Sequence, residues 1–174
     1  MEFMHVVVKR HSIRDFTSEQ IKEEELDKII LVGNAAPIGK AKYELLHMTI
    51  VQDPKFLKNI SVATANLYRM AEDPLYGSPT LVIVSALGMP EFNNIEYANC
   101  ACIVNNMLLA ATDLGLGSVY LMSAPTVIAK DKQLKRELGI PDSFSPLAAV
   151  ALGYAKNGLS KDRVLKQHIT LNRA

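Results

Sequence analysis

"NIEYANCACIVNNMLLAATDL" (residues 94–114) runs without a break into "GLGSVYLM" (residues 115–122), and the reading of this junction sets the architecture. The first part is apolar almost all round and rich in small residues, as expected of a helix packed on several sides. It predicts the central helix of the molecule. Gly115 and Gly117 then turn the chain into an apolar strand. The glycine pair follows a helix instead of opening one, and no third glycine follows in register, so it is not a dinucleotide fingerprint. Two readings stay open: a close approach of the backbone to a ligand, or a plain helix cap.

Toward the C-terminus, "PTVIAKDKQLKREL" (125–138) predicts one further helix that ends at Gly139 before Pro141, and "SPLAAVALGYA" (145–155) a strand. The tail, residues 156–174, is polar but closes on an alternating "HITL" that can pair with a sheet edge, on another subunit for instance. Toward the N-terminus, "SPTLVIVSAL" (78–87) reads as a strand buried on both faces. Residues 53–70 form a helix started by Asp53 and Pro54, and "LLHMTIVQD" (45–53) a strand. Leu26, Ile29, Ile30 and Gly33 mark an amphipathic helix over Glu23–Asn34, and Phe3, Met4, Val7 and Val8 a short first helix that delivers Arg10. The order is an α+β layering around four or five strands.

With 174 residues, 49% of them hydrophobic, the chain can bury a sizeable core as one domain over residues 1–174. No apolar run reaches the roughly 18–20 residues that cross a bilayer, and no basic-then-apolar leader opens the sequence, so the expectation is a cytoplasmic protein with no membrane association. A net charge of +1, from 19 basic and 18 acidic residues, supplies no global field for nucleic acid. Any anion must therefore be met by a local cluster. Cys100 and Cys102, two apart on a helix, diverge, and are expected to be buried, reduced packing residues rather than a disulfide or a metal clip. His5, His11, His47 and His168 show no metal-ligand spacing, and no HExxH, paired CxxC, GxSxG or P-loop is present.

Two clusters of cations stand out. In "RHSIR" (10–14), Arg10 and Arg14 lie four apart with Ser12 between them; guanidinium forks and a hydroxyl suit phosphate oxygens. In "SKDR" (160–163), Lys161 and Arg163 share one face of an extended segment and can point at one anion. Each cluster alone is equally at home on a solvated surface. If the protein is an enzyme, its hard chemistry belongs to an organic cofactor that carries a phosphate.

Taken in order, these pieces resemble the nitroreductase family of FMN-dependent oxidoreductases over nearly the whole chain. The resemblance rests on the opening Arg10, His11, Ser12, Arg14 and Phe16, on "AAPIG" (35–39), on the long helix into "LGLGSVYL" (114–121), on "LGIP" (138–141) and "GYA" (153–155), and on "KDRVLKQHITL" (161–171). It implies a central, mainly antiparallel sheet of four to five strands flanked by helices, in an intertwined homodimer with residues 160–174 as an extended arm. It also implies FMN at the subunit interface. Arg10, His11 and Ser12 would contact the phosphate and ribityl chain, Lys161 and Arg163 would close on the phosphate, and Arg14 would sit at the pyrimidine edge as an electrostatic stabiliser of the reduced ring. Pro37, Ile38 and Gly39 would reach the flavin from the partner, Tyr120, Met122 and Ser123 would lie beside it, and Asn66 would match a family asparagine at the ring edge.

The activity so implied is ping-pong: NAD(P)H gives hydride to flavin N5, and a small aromatic acceptor, a nitroaromatic, a quinone or another flavin, takes its place. No catalytic acid or base is required of the protein. The chain departs from the family pattern at Ile38, Lys40 and Ala41, where members often carry serine and asparagine, and at Met122, where some carry glutamate. Only seven residues separate Ala86 from Asn94, which implies an open pocket. Two alternatives stand beside this reading: an FMN carrier or redox sensor with little turnover, and an S-adenosylmethionine or nucleotide site at "LGLGS".

Overall fold

A computed structural model describes residues 2–159 and 161–173. Its elements are α1 (Phe3–Lys9), α2 (Glu23–Asn34), β1 (Leu46–Val51), α3 (Pro54–Tyr68), β2 (Thr80–Ala86), α4 (Ile95–Asp113), β3 (Gly117–Leu121), α5 (Ser123–Lys130), α6 (Lys132–Glu137) and β4 (Ser145–Gly153). The four strands form one sheet in the order β1-β2-β4-β3, every neighbouring pair antiparallel. This is the α+β architecture the resemblance implied, with four strands among the described residues.

The sheet is covered on both faces, which is why its inner strands read as continuous apolar runs. All seven residues of β2 are buried. Their side chains alternate: Leu81 and Ile83 join one core with Ile60 of α3 and Ile128 of α5, while Val82 and Val84 join a second with Ile29 of α2 and Val104 and Met107 of α4. A β-bulge between Val84 and Ser85 shifts the register against β4 near the strand end. α4 touches α1, α2 and three of the strands, so it has to be apolar on most of its surface.

Local chemistry accounts for the ends of these elements. Asp53 caps α3 by accepting from the Lys55 amide at 2.7 Å, with Pro54 in the first turn, and Arg69 closes that helix in the left-handed region. The single helix expected over 125–138 is two. Asp131 adopts an extended conformation after Lys130, and its carboxylate accepts from the amides of Gln133 and Leu134, both at 3.0 Å, so an N-cap in mid-sequence outweighs the continuous helical pattern. One of the two cysteines also differs from expectation. Cys100 is buried, and burial, with the charge of Glu96, pushes its thiol up to about 12, whereas Cys102 is exposed. The two-residue spacing sends one inward and the other outward.

The tail makes no strand among the described residues. Residues 161–173 are irregular and exposed, lying against α1 at their beginning; Ser160 and Ala174, the ends of the expected arm, lie outside the described residues. No helix among the described residues is long and apolar enough to cross a membrane.

Candidate functional site

The basic stretch leaves α1 in extended conformation at Arg10 and crosses the end of the sheet beside β3 and β4. The Ile13 amide donates to the Ser118 carbonyl at 3.0 Å, the Thr17 amide to the Tyr154 carbonyl at 2.9 Å, and Phe16 bridges to Ala155. Along this stretch Ile13 and Phe16 are buried, while Ser12, Arg14 and Asp15 are exposed. Phe16 packs so close to the sheet end that a side chain at Gly117 or Gly153 would crowd it: a Cβ on Gly117 would meet Phe16 at 3.0 Å and Ile13 at 3.1 Å. The glycine pair of "LGLGS" therefore divides its duties. Gly115, at φ +77, ends the helix, as the cap reading has it, and Gly117 leaves space for the chain's own basic segment.

The opposite terminus arrives at the same place. Arg163 donates from its amide to the Val8 carbonyl at 3.1 Å and from Nε to the Val7 carbonyl at 3.2 Å, satisfying carbonyls of the last turn of α1. Asp162 sits 3.6 Å from the Lys9 ammonium and 3.8 Å from the His5 ring. Burial and, next, the charge of Arg163 hold the Arg10 guanidinium below its ordinary value. Among the described residues neither Arg10 nor Arg163 forms an ion pair. Two like charges thus lie near each other with no carboxylate among the described residues pairing either, an arrangement suited to an external dianion such as a phosphate group.

The other expected residues surround this point unevenly. His11 is tied to its neighbour, with Nδ1 2.9 Å from the Lys9 carbonyl oxygen. Arg14 lies over the Tyr76 ring, 6.0 Å from its centroid. Lys161 is exposed. Along β3 and into α5, Tyr120 is half-buried, with burial first and Cys100 second raising its phenol, Met122 is 57% exposed, and Ser123 opens the helix. β3 is an outer strand of the sheet, bridged on its free side by the basic segment at Ser12 and Ser118, and Tyr120, Met122 and Ser123 follow beyond that bridge.

Pro37, Ile38 and Gly39 lie in the loop after α2. The Gly39 amide donates to Oδ1 of the buried Asn99 at 3.1 Å, and a Cβ at Gly39 would collide with Ile95. Lys40 and Ala41 follow in the left-handed region, at φ 54 and 52, and the Lys40 ammonium sits 4.6 Å from the centroid of Phe92. Asn66 is not brought to the cluster: it lines a cavity of about 460 Å³ between α3 and α6 with Asn59, Asp131 and Gln133, and no member of the basic cluster shares that cavity.

Sequence reasoning missed Asp73, Tyr76 and Asp162. The first two belong to "DPLYGSP" (73–79), whose Asp-Pro and Gly-Ser-Pro pairs signal a turn but carry no sign of proximity to Arg14.

Comparison with known proteins places the fold. The family model described as "Nitroreductase family" matches residues 41–154. A relative in Archaeoglobus fulgidus, whose name includes NAD(P)H nitroreductase, is 29% identical over 160 residues, 90% of this chain and 87% of its own. Among solved structures, a nitroreductase with bound FMN from Bacteroides fragilis superposes with a TM-score of 0.82 at 30% identity, covering 99% of this chain and 100% of its own. A nitroreductase family protein from Clostridium novyi reaches 0.76 at 28% identity, covering 90% of this chain and 87% of its own. The antiparallel sheet, the glycine turn after the central helix and the match over residues 41–154 make this chain a member of the nitroreductase family.

Proposed function

We propose that this chain is an FMN-dependent NAD(P)H oxidoreductase, a single flavin-binding domain working as a homodimer. The observation that carries this reading is the convergence of Arg10 and Arg163, with Ser12 beside them in sequence and no protein carboxylate pairing either guanidinium among the described residues. A flavin phosphate supplies the missing anion, and the FMN named with the Bacteroides fragilis structure supports the choice.

When bound, FMN supplies two-electron chemistry, taking hydride from NAD(P)H and passing electrons to an acceptor. The protein binds, orients and polarises. Arg10, Ser12, Lys161 and Arg163 hold the phosphate end, with His11 alongside, and Tyr120, Met122 and Ser123 line the ring's edge of the sheet. Arg14 places a fixed positive charge where negative charge grows on reduction. The exposed Met122 leaves the ring open to donor and acceptor in turn, which supports ping-pong exchange and acceptance of small electron-poor aromatics such as nitroaromatics and quinones.

Large exposed apolar side chains support the homodimer: Phe3, Leu31, Val164, Ile169 and Leu171 are each more than 60% exposed in the single chain. In the dimer, the Pro37–Gly39 loop, held from behind by Asn99, reaches the partner's flavin.

The test is an absorbance scan of the purified protein followed by anaerobic addition of NADH or NADPH. A flavin spectrum that bleaches with the nucleotide and returns with menadione or a nitroaromatic is the expected result. A yellow protein that does not bleach is a carrier or sensor instead, and a protein that takes up no FMN overturns the reading altogether.

A further inference from the structure

The turn at residues 73–79 lies outside every motif that points to the flavin, yet it holds an aromatic residue in a conformation such residues avoid. Tyr76 has φ +58, and Gly77 follows at φ +72. Glycine adopts this region freely, whereas a bulky side chain there is an outlier that persists only when its surroundings over-determine it.

They do so through Asp73. Its Oδ1 accepts from the Ser61 hydroxyl at 2.6 Å and the Leu75 amide at 2.9 Å, its Oδ2 from the Gly77 amide at 2.7 Å, and its carbonyl from the Tyr76 amide at 3.0 Å. Burial alone would raise the Asp73 carboxyl. Those side-chain and amide donors, with the charge of Lys58, bring it below its ordinary value instead. What the strained residue then touches is the basic segment. The Tyr76 carbonyl accepts from the Phe16 amide at 3.2 Å, and its ring faces the Arg14 guanidinium at 6.0 Å. Among the described residues Arg14 has no carboxylate partner, so the ring is what restrains it.

We propose that Tyr76 is a positioning residue for Arg14: the Asp73 turn holds the Tyr76 ring against the guanidinium and so keeps that charge at the pyrimidine edge of the flavin. The inference rests on the flavoenzyme reading above. An aromatic face attracts a cation while leaving its N–H donors free, unlike a carboxylate, which would neutralise it. A guanidinium held in place before reduction stabilises the reduced ring more than one that must be drawn out of water.

The experiment measures the bound flavin's preference for its reduced form by spectroelectrochemical titration, and FMN affinity by fluorescence quenching, in the FMN-loaded protein. The variants are Tyr76→Phe, Tyr76→Asn, Arg14→Gln and the Asn/Gln double. Asparagine tolerates the left-handed region, so it removes the ring and spares the turn. Should Tyr76→Asn fail to fold, Tyr76→Gly serves the same purpose. The expected result is that Tyr76→Asn weakens the preference for reduced over oxidised flavin about two- to fivefold, that Tyr76→Phe retains it, and that Tyr76→Asn has no further effect once Arg14 is glutamine. An unchanged preference in Tyr76→Asn, with a lowered one in Arg14→Gln, makes Tyr76 merely structural and overturns the proposal. No change in either variant shows that Arg14 is not at the ring edge, which also overturns it but leaves the flavoenzyme standing. Failure of the unaltered protein to bind FMN overturns both.

Discussion

Arg10 and Arg163 come from opposite ends of the chain and meet at the C-terminal end of one short helix, where Arg163 is anchored on the Val7 and Val8 carbonyls and its charge acts on Arg10. In the flavoenzyme reading proposed above, a bound phosphate relieves their mutual repulsion. Arg163→Gln is therefore expected to weaken FMN binding roughly ten- to a hundredfold, as loss of a charge-assisted hydrogen bond of about 1.5–3 kcal/mol implies. Fluorescence titration checks this, and FMN should raise the melting temperature of the parent protein far more than that of the variant. Equal affinities would mean the two guanidinium groups do not share a ligand.

Gly153→Ala tests the seat of the basic segment. An added Cβ would lie 2.8 Å from Cδ of Pro79 and 3.0 Å from Cδ1 of Phe16, both in rings with little freedom to yield. Overpacking of this kind costs about 1–3 kcal/mol, so the midpoint of urea unfolding should fall at unchanged slope. Because Phe16 carries the stretch that bears Ser12 and Arg14, FMN affinity should fall with it. A fully stable variant would show that the sheet end opens readily.

Asp73 sets an acid limit on stability. Its folded value lies below the ordinary 3.8, so the unfolded state binds the proton more readily. Its contribution is then complete above about pH 4 and is lost as the pH falls through the folded value. In Asp73→Asn the stability should be lower near neutral pH and should decline less steeply below that point. Thermal melts from pH 2 to 7 (roughly the carboxylate range and above) decide the matter. Parallel curves for the two proteins would mean the carboxylate is no better held folded than unfolded.

The exposed apolar side chains make the fourth prediction. Val164 is 78% and Ile169 79% exposed in a tail that makes no strand among the described residues. Ile169→Asp combined with Leu171→Asp should shift the protein toward monomer in light scattering and lower its FMN content together with its mass, since cofactor binding and association are linked. A flavin-loaded monomer in the parent protein would contradict the dimeric site.

Much of the architecture was legible because it rests on short-range chemistry. The 3.6-residue recurrence of Leu26, Ile29, Ile30 and Gly33, the Asp53 and Pro54 start, and the unbroken apolar runs of β2 and β4 each report a local rule. The break at Asp131 was not legible, since the same residue suits a helix surface and a cap, and the helical pattern runs on across it. Cys102 faced outward for a similar reason, as helical phase alone does not say which flank of α4 is covered.

By itself the sequence determined that Arg10, Ser12 and Arg14 stand together and that a second cationic pair waits near the end, because a few residues of chain suffice to place those groups. That Arg163 reaches Arg10, that Tyr76 faces Arg14, and that Gly117 lies against Phe16 were decided only by the tertiary structure. The reason is physical: each joins segments far apart in the chain, and their meeting depends on the summed burial of two cores across one sheet, which no local run of residues encodes.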